Sequence, residues 1–114
     1  MRAIVVAMTV IMLGGCDSMS AEEKEAASCA DTTQAFVMSK VFVKSALRSP
    51  SAAEFPYKTD PGVTVEHIGG CRHVVRAFVD APNAFGAKIR SEYSVTMEKT
   101  PNQDNWRASG IEIR

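Results

Sequence analysis

The spacing of apolar residues changes once along this chain, at Asp60-Pro61-Gly62, and that change limits the folds open to it. Upstream, Ala35, Met38, Phe42 and Ala46 recur at the interval that lines one side of a helix, and Phe36, Val43 and Leu47 widen the stripe. Downstream, apolar and polar residues alternate, which is the period of a strand with one covered face. Val63 to Ile68, Cys71 to Ala81, Ala87 to Lys99 and Trp106 to Arg114 read as four strands joined by short polar loops. In the third, Ile89, Tyr93, Val95 and Met97 fall on one face, and Lys88, Arg90, Glu92, Thr96 and Glu98 on the other. One amphipathic helix followed by four strands in series predicts an α+β domain, the N-terminal helix packed on a four-stranded antiparallel meander.

Local signals set the boundaries. Asp31 is placed to cap the helix, with Gln34 three residues on as its capping-box partner. Ser49-Pro50 ends it, because the residue before a proline is pushed out of the α region. Ser51-Ala52-Ala53-Glu54 reads as a second, very short capping box that presents Phe55 before Pro56. Gly110 interrupts the last alternation, so a bulge is expected there before Ile111 and Ile113.

The N-terminal segment has a different character. Met1-Arg2 is followed by an uncharged apolar run, Ala3 to Leu13. As a helix that run is about 16 Å long, too short for a bilayer core of ~30 Å. A charged start, a short apolar stretch and small residues at its end describe a cleaved export signal. Leu13-Gly14-Gly15-Cys16 resembles the bacterial lipobox, which lipoprotein signal peptidase reads. The resemblance implies a signal peptide over residues 1–15 and acyl chains on the Cys16 thiol and its freed amine. Several acyl chains hold a protein on a membrane without spanning it. Asp17, directly after the lipidated position, resembles the signal that keeps lipoproteins in the inner membrane of diderm bacteria. Residues 16–28 are polar and small, and read as a lipidated cysteine with a flexible tether whose reach is ~20 Å. The cluster Glu22-Glu23-Lys24-Glu25 reads as a solvated extension or a frayed helix. Residues 29–114 form the single domain.

Thirteen basic residues balance thirteen acidic ones, which argues against a dedicated nucleic-acid binder. With Cys16 committed to lipid, Cys29 and Cys71 remain of three cysteines, and an exported domain favours a disulfide between them. Lys40, Lys44 and Arg48 stand opposite the helix's apolar stripe. They suit a solvated face near a helix C-terminus, or a basic ridge facing anionic headgroups.

Ser49-Pro50-Ser51-Ala52-Ala53-Glu54-Phe55-Pro56, Val79-Asp80-Ala81-Pro82-Asn83-Ala84-Phe85-Gly86-Ala87 and Ile89-Arg90-Ser91-Glu92-Tyr93 together resemble a small domain of uncharacterised bacterial envelope lipoproteins. The resemblance implies a fold and carries no activity. Within it, Asp80, Asn83, Phe85 and Arg90 are the candidate binding surface. Turn chemistry alone would make the stretch a hairpin connection with Phe85 tucked over the sheet edge. As a surface, Phe85 would be the anchor and the other three its polar partners.

His67, Cys71 and His73 raise the question of a metal. A two-residue turn at Gly69-Gly70 leaves His67 on the opposite face, whereas a bulged loop puts all three on one face. Even then a fourth ligand is missing, so no metal and no cofactor are expected. No strained nucleophile elbow and no phosphate-cradling glycine loop is present. The function expected is a membrane-anchored interaction module, held to lipid through acylated Cys16 and meeting an envelope protein. The alternatives are a small periplasmic enzyme or metal-handling protein using His67 and His73, and a mobile-element exclusion lipoprotein.

Overall fold

A computed structural model describes residues 20–114. The lipobox resemblance, Cys16 and Asp17 lie outside the described residues. Two helices, α1 (Ala21–Cys29) and α2 (Thr32–Ser45), precede a 3-10 turn at Pro50–Ala52 and four strands: β1 (Thr64–Gly69), β2 (Arg72–Pro82), β3 (Lys88–Lys99) and β4 (Trp106–Ile113). The strands form one antiparallel sheet in sequence order, the predicted meander.

α2 starts where its cap places it: the Asp31 side chain accepts a hydrogen bond from the Gln34 amide at 3.0 Å. Its inward face buries Ala35, Phe36, Ser39 and Val43 against Val75, Ala77 and Val79 of β2, Tyr93, Val95 and Met97 of β3, and Trp106 of β4. Ser39 is tolerated there because its hydroxyl donates to the Phe36 carbonyl at 2.6 Å and lies 3.3 Å from the Tyr93 hydroxyl. Phe55, set by the 3-10 turn, meets Tyr93 edge to face at 6.3 Å. The segment then pairs briefly with β2, Glu54 and Asp80 exchanging both backbone hydrogen bonds.

Two expectations need correction. The segment read as a flexible tether is helical from Ala21. Ser20 caps it, its hydroxyl accepting from the Glu23 amide at 3.1 Å and donating to the Glu23 carboxylate at 3.2 Å. The helix is short and has almost no apolar stripe, so two fastenings to the sheet hold it. Cys29 is disulfide-bonded to Cys71, and Glu25 is paired to Lys99 at 2.6 Å. Glu25 and Cys29 are one helical turn apart. Their partners are cross-strand neighbours, the Lys99 amide donating to the Cys71 carbonyl at 2.9 Å.

The second correction concerns Ile89, expected on the covered face and in fact 46% exposed. A 14-residue helix is about 21 Å long, whereas the 12 residues of β3 extend to about 40 Å. The β2–β3 hairpin therefore runs past the end of its cover. Gly110, at φ 62°, makes the predicted bulge in β4, where the register shifts between Ser94 and Thr96 of β3.

Candidate functional site, the β2–β3 hairpin tip

The projecting end of the hairpin is built almost entirely from its own hydrogen bonds. Asp80 pairs with Arg90, Ala81 with Ile89 and Pro82 with Lys88, which leaves a loop of Asn83 to Ala87. The Asn83 amide donates to the Ala87 carbonyl at 2.8 Å, and the Gly86 amide donates to the Asn83 carbonyl at 3.0 Å. The Asn83 side-chain oxygen accepts from the amides of Phe85 at 2.9 Å and Ala87 at 3.0 Å. Gly86 closes the loop at φ 83°, a conformation that side chains disfavour. This wiring leaves Phe85 94% exposed at the tip. Phe85 does not tuck over the sheet edge as turn chemistry suggested.

Below the tip, the Arg90 guanidinium donates to both Asp80 oxygens, at 2.8 and 3.0 Å, and stacks over the Phe78 ring at 4.0 Å. The pairing holds the Asp80 carboxyl below its ordinary range and raises Arg90 in turn. Lys88 reaches Glu54 at 2.6 Å and ties the hairpin to the 3-10 segment. Of the four residues expected to form a binding surface, Asp80 and Arg90 are thus engaged with each other, and Asn83 with the loop backbone. Phe85 is the one that faces out. The other three position it.

The sheet face away from α2 is a broad concavity lined by Gly62, Arg76, Phe78, Glu92, Glu112 and Arg114 among others. Its charges alternate in sign, and Arg107–Glu98 at 2.7 Å and Arg114–Glu112 at 3.5 Å partly pair them. A face of that kind offers no single-sign field for an ionic ligand.

His67 and His73 are directly opposed in the β1–β2 ladder, with their rings 4.8 Å apart, because a bulge at Ile68 restores them to one face. Of the two turn geometries, the bulged one is adopted. His73 is fully buried against His67 and Trp106, and neither of its ring nitrogens has a hydrogen-bond partner among the described residues. Burial first, then the neighbouring His67, hold its pKa below 6.5, against a smaller pull upward from the Ala30 backbone and Asp31. Cys71 cannot join the histidines as a ligand, since its sulfur is bonded to Cys29. Glu25, Cys29 and Cys71 do cluster, but both sulfurs are in that same bond.

Two features were not read from the sequence. Lys99 lies on the covered face and is 1% exposed, its ammonium held by Glu25; that hydrogen bond is the main cause of the lowered Glu25 pKa, and the Asn102 backbone adds to it. The one-turn spacing of Glu25 and Cys29 was the available signal. On α2, Lys40 is half-buried and lies 5.1 Å from the centre of the Phe36 ring, so it departs from the exposed ridge of Lys44 and Arg48. In its place Val37 and Val41 stand out, 45% and 53% exposed.

Among the described residues no helix is long and apolar enough to cross a membrane. In comparisons with protein-family models, curated proteins and solved structures, nothing matches this chain.

Proposed function

We propose that the chain is a membrane-anchored envelope lipoprotein whose one domain is an interaction module, and that Phe85 is the anchor by which it meets an envelope protein. One observation carries this: a large apolar side chain, 94% exposed, on a loop whose polar groups are engaged in holding it there. Aromatic anchors that enter a partner's pocket dominate binding energies, and one held rigid in advance loses little conformational entropy on binding. The resemblance of Leu13-Gly14-Gly15-Cys16 to a lipobox supports attachment to the membrane, and Asp17 supports the periplasmic face of the inner membrane. The disulfide agrees with an exported domain.

The test is the state of the protein in gently solubilised membranes. The wild-type chain migrates on a native gel in a species larger than itself. Phe85→Ser shifts it to the free form, since loss of an anchor worth ~2 kcal/mol or more weakens a complex roughly thirtyfold. The melting temperature stays within a degree or two, because surface changes away from packing sites cost little. Unchanged migration of a folded Phe85→Ser chain refutes the assignment.

A further inference from the structure

The outer side of α2 sets two exposed valines among its polar residues. Taking the buried residues Ala35, Phe36, Ser39 and Val43 as the inward side, the helical period puts Val37, Val41 and Lys44 on the opposite side, and exposed Arg48 follows just beyond the helix end. Val37 and Val41 are about half exposed, one turn apart, and they share a shallow groove with Phe55 that Lys40 and Lys44 border. Residues 32–45 contain no carboxylate, and among the described residues no acidic side chain pairs with Lys40, Lys44 or Arg48. At the other end, Lys58 reaches the Thr32 and Thr33 hydroxyls at 2.7 and 3.1 Å, which adds a cation beside the first turn.

An apolar strip edged by unpaired cations is complementary to one surface in particular, an anionic phospholipid bilayer. Its acyl and glycerol region accepts the valines while its phosphates meet the ammonium and guanidinium groups. We infer that α2 docks the domain on anionic lipid, with Val37 and Val41 entering the headgroup boundary and Lys44 and Arg48 facing phosphates. The inference rests on the chain being held at a membrane, and it adds an orientation. Because α2 lies between sheet and bilayer, the open sheet face looks away from the lipid. The hairpin that carries Phe85 then extends sideways, where a neighbouring envelope protein can reach it.

The full-length lipidated chain, reconstituted in vesicles, tests this with a diazirine amino acid in place of Val41 and, separately, of Ser109 on the far face. Vesicles are phosphatidylcholine alone or phosphatidylcholine mixed with phosphatidylglycerol. Lipid adducts should form at position 41 with the anionic vesicles, fall about thirtyfold or more in Lys44→Glu/Arg48→Glu, as the reversal of two surface cations requires, and be absent at position 109. Equal adducts at position 41 in neutral and anionic vesicles, or equal adducts at positions 41 and 109, overturn the proposal. So do adducts to protein alone at position 41, which would make the strip a protein interface. Flotation with neutral vesicles reports the lipid anchor by itself. A chain that floats with them yet gives no adduct at position 41 on anionic vesicles overturns the docking and leaves the anchor standing. A chain that floats with neither vesicle overturns both. Phe85→Ser leaves the adducts at position 41 unchanged, which separates this contact from the hairpin's partner.

Discussion

Replacing both cysteines of the Cys29–Cys71 bond by alanine should remove a large part of this domain's stability. The bond joins residues 42 apart in sequence, and the loop it closes holds all of α2, the 3-10 segment and β1. In the chain-entropy model a loop of that length stabilises the folded state by ~4 kcal/mol, since the unfolded chain loses that much freedom. Natural domains are stable by only about 5–15 kcal/mol. For a domain of this size each kcal/mol moves the melting temperature by about 4–8 °C, so the loss predicted is roughly 15–30 °C. Alanine is the better substitute because Cys29 is buried, and a serine hydroxyl there would add a desolvation cost of its own. Circular dichroism melts of the oxidised wild type and the double variant measure the difference, with thiol labelling to confirm that wild-type Cys29 and Cys71 are blocked. A drop of only a few degrees would refute the claim that the bond constrains the whole domain, and free thiols in the wild type isolated without reductant would remove the bond.

Three further outcomes follow from the same geometry and sequence. The folded pKa of His73 lies below its unfolded value near 6.5, so the unfolded chain binds the extra proton first. Stability should therefore fall as pH drops through about 6.5, above the range in which Glu25, Asp80 and Glu98 protonate. The slope of melting temperature against pH over that window should flatten in His73→Leu; an equal slope in the variant would exclude His73 as its source. Labelled fatty acid should enter the protein and be lost in Cys16→Ser, and Asp17→Ser should move the protein to the outer membrane of a diderm host. Unchanged labelling or unchanged location contradicts the corresponding assignment.

The parts of the fold that sequence made legible are those fixed by local rules. The change of period at Asp60-Pro61-Gly62 separated helix from sheet, Asp31 marked the start of α2, and Gly110 marked the bulge. What stayed hidden depended on contacts distant in sequence. α1 carries an N-cap at Ser20, but so short a helix with so little apolar surface is stable only when fastened, and Glu25–Lys99 spans 74 residues. Alternation correctly assigned Ile89 to the helix-covered side, yet it could not show that α2 stops short of it. The hairpin motif was visible as residues, while the division of labour within it was not. Only the register places Arg90 on Asp80, and only the loop's hydrogen bonds commit Asn83 and expose Phe85. Val37 and Val41 escaped notice because an apolar stripe read from sequence is assumed to have a single side.

Site-specific photo-crosslinking in intact envelopes decides whether Phe85 meets a protein partner. A crosslinking amino acid at Phe85 should capture one discrete protein partner, and the adduct should weaken when Cys16→Ser releases the chain from the membrane. The same amino acid at Tyr57, which is also well exposed at 79% but lies outside the hairpin, should capture nothing at comparable yield. Equal capture from both positions, or none from position 85, would contradict the account.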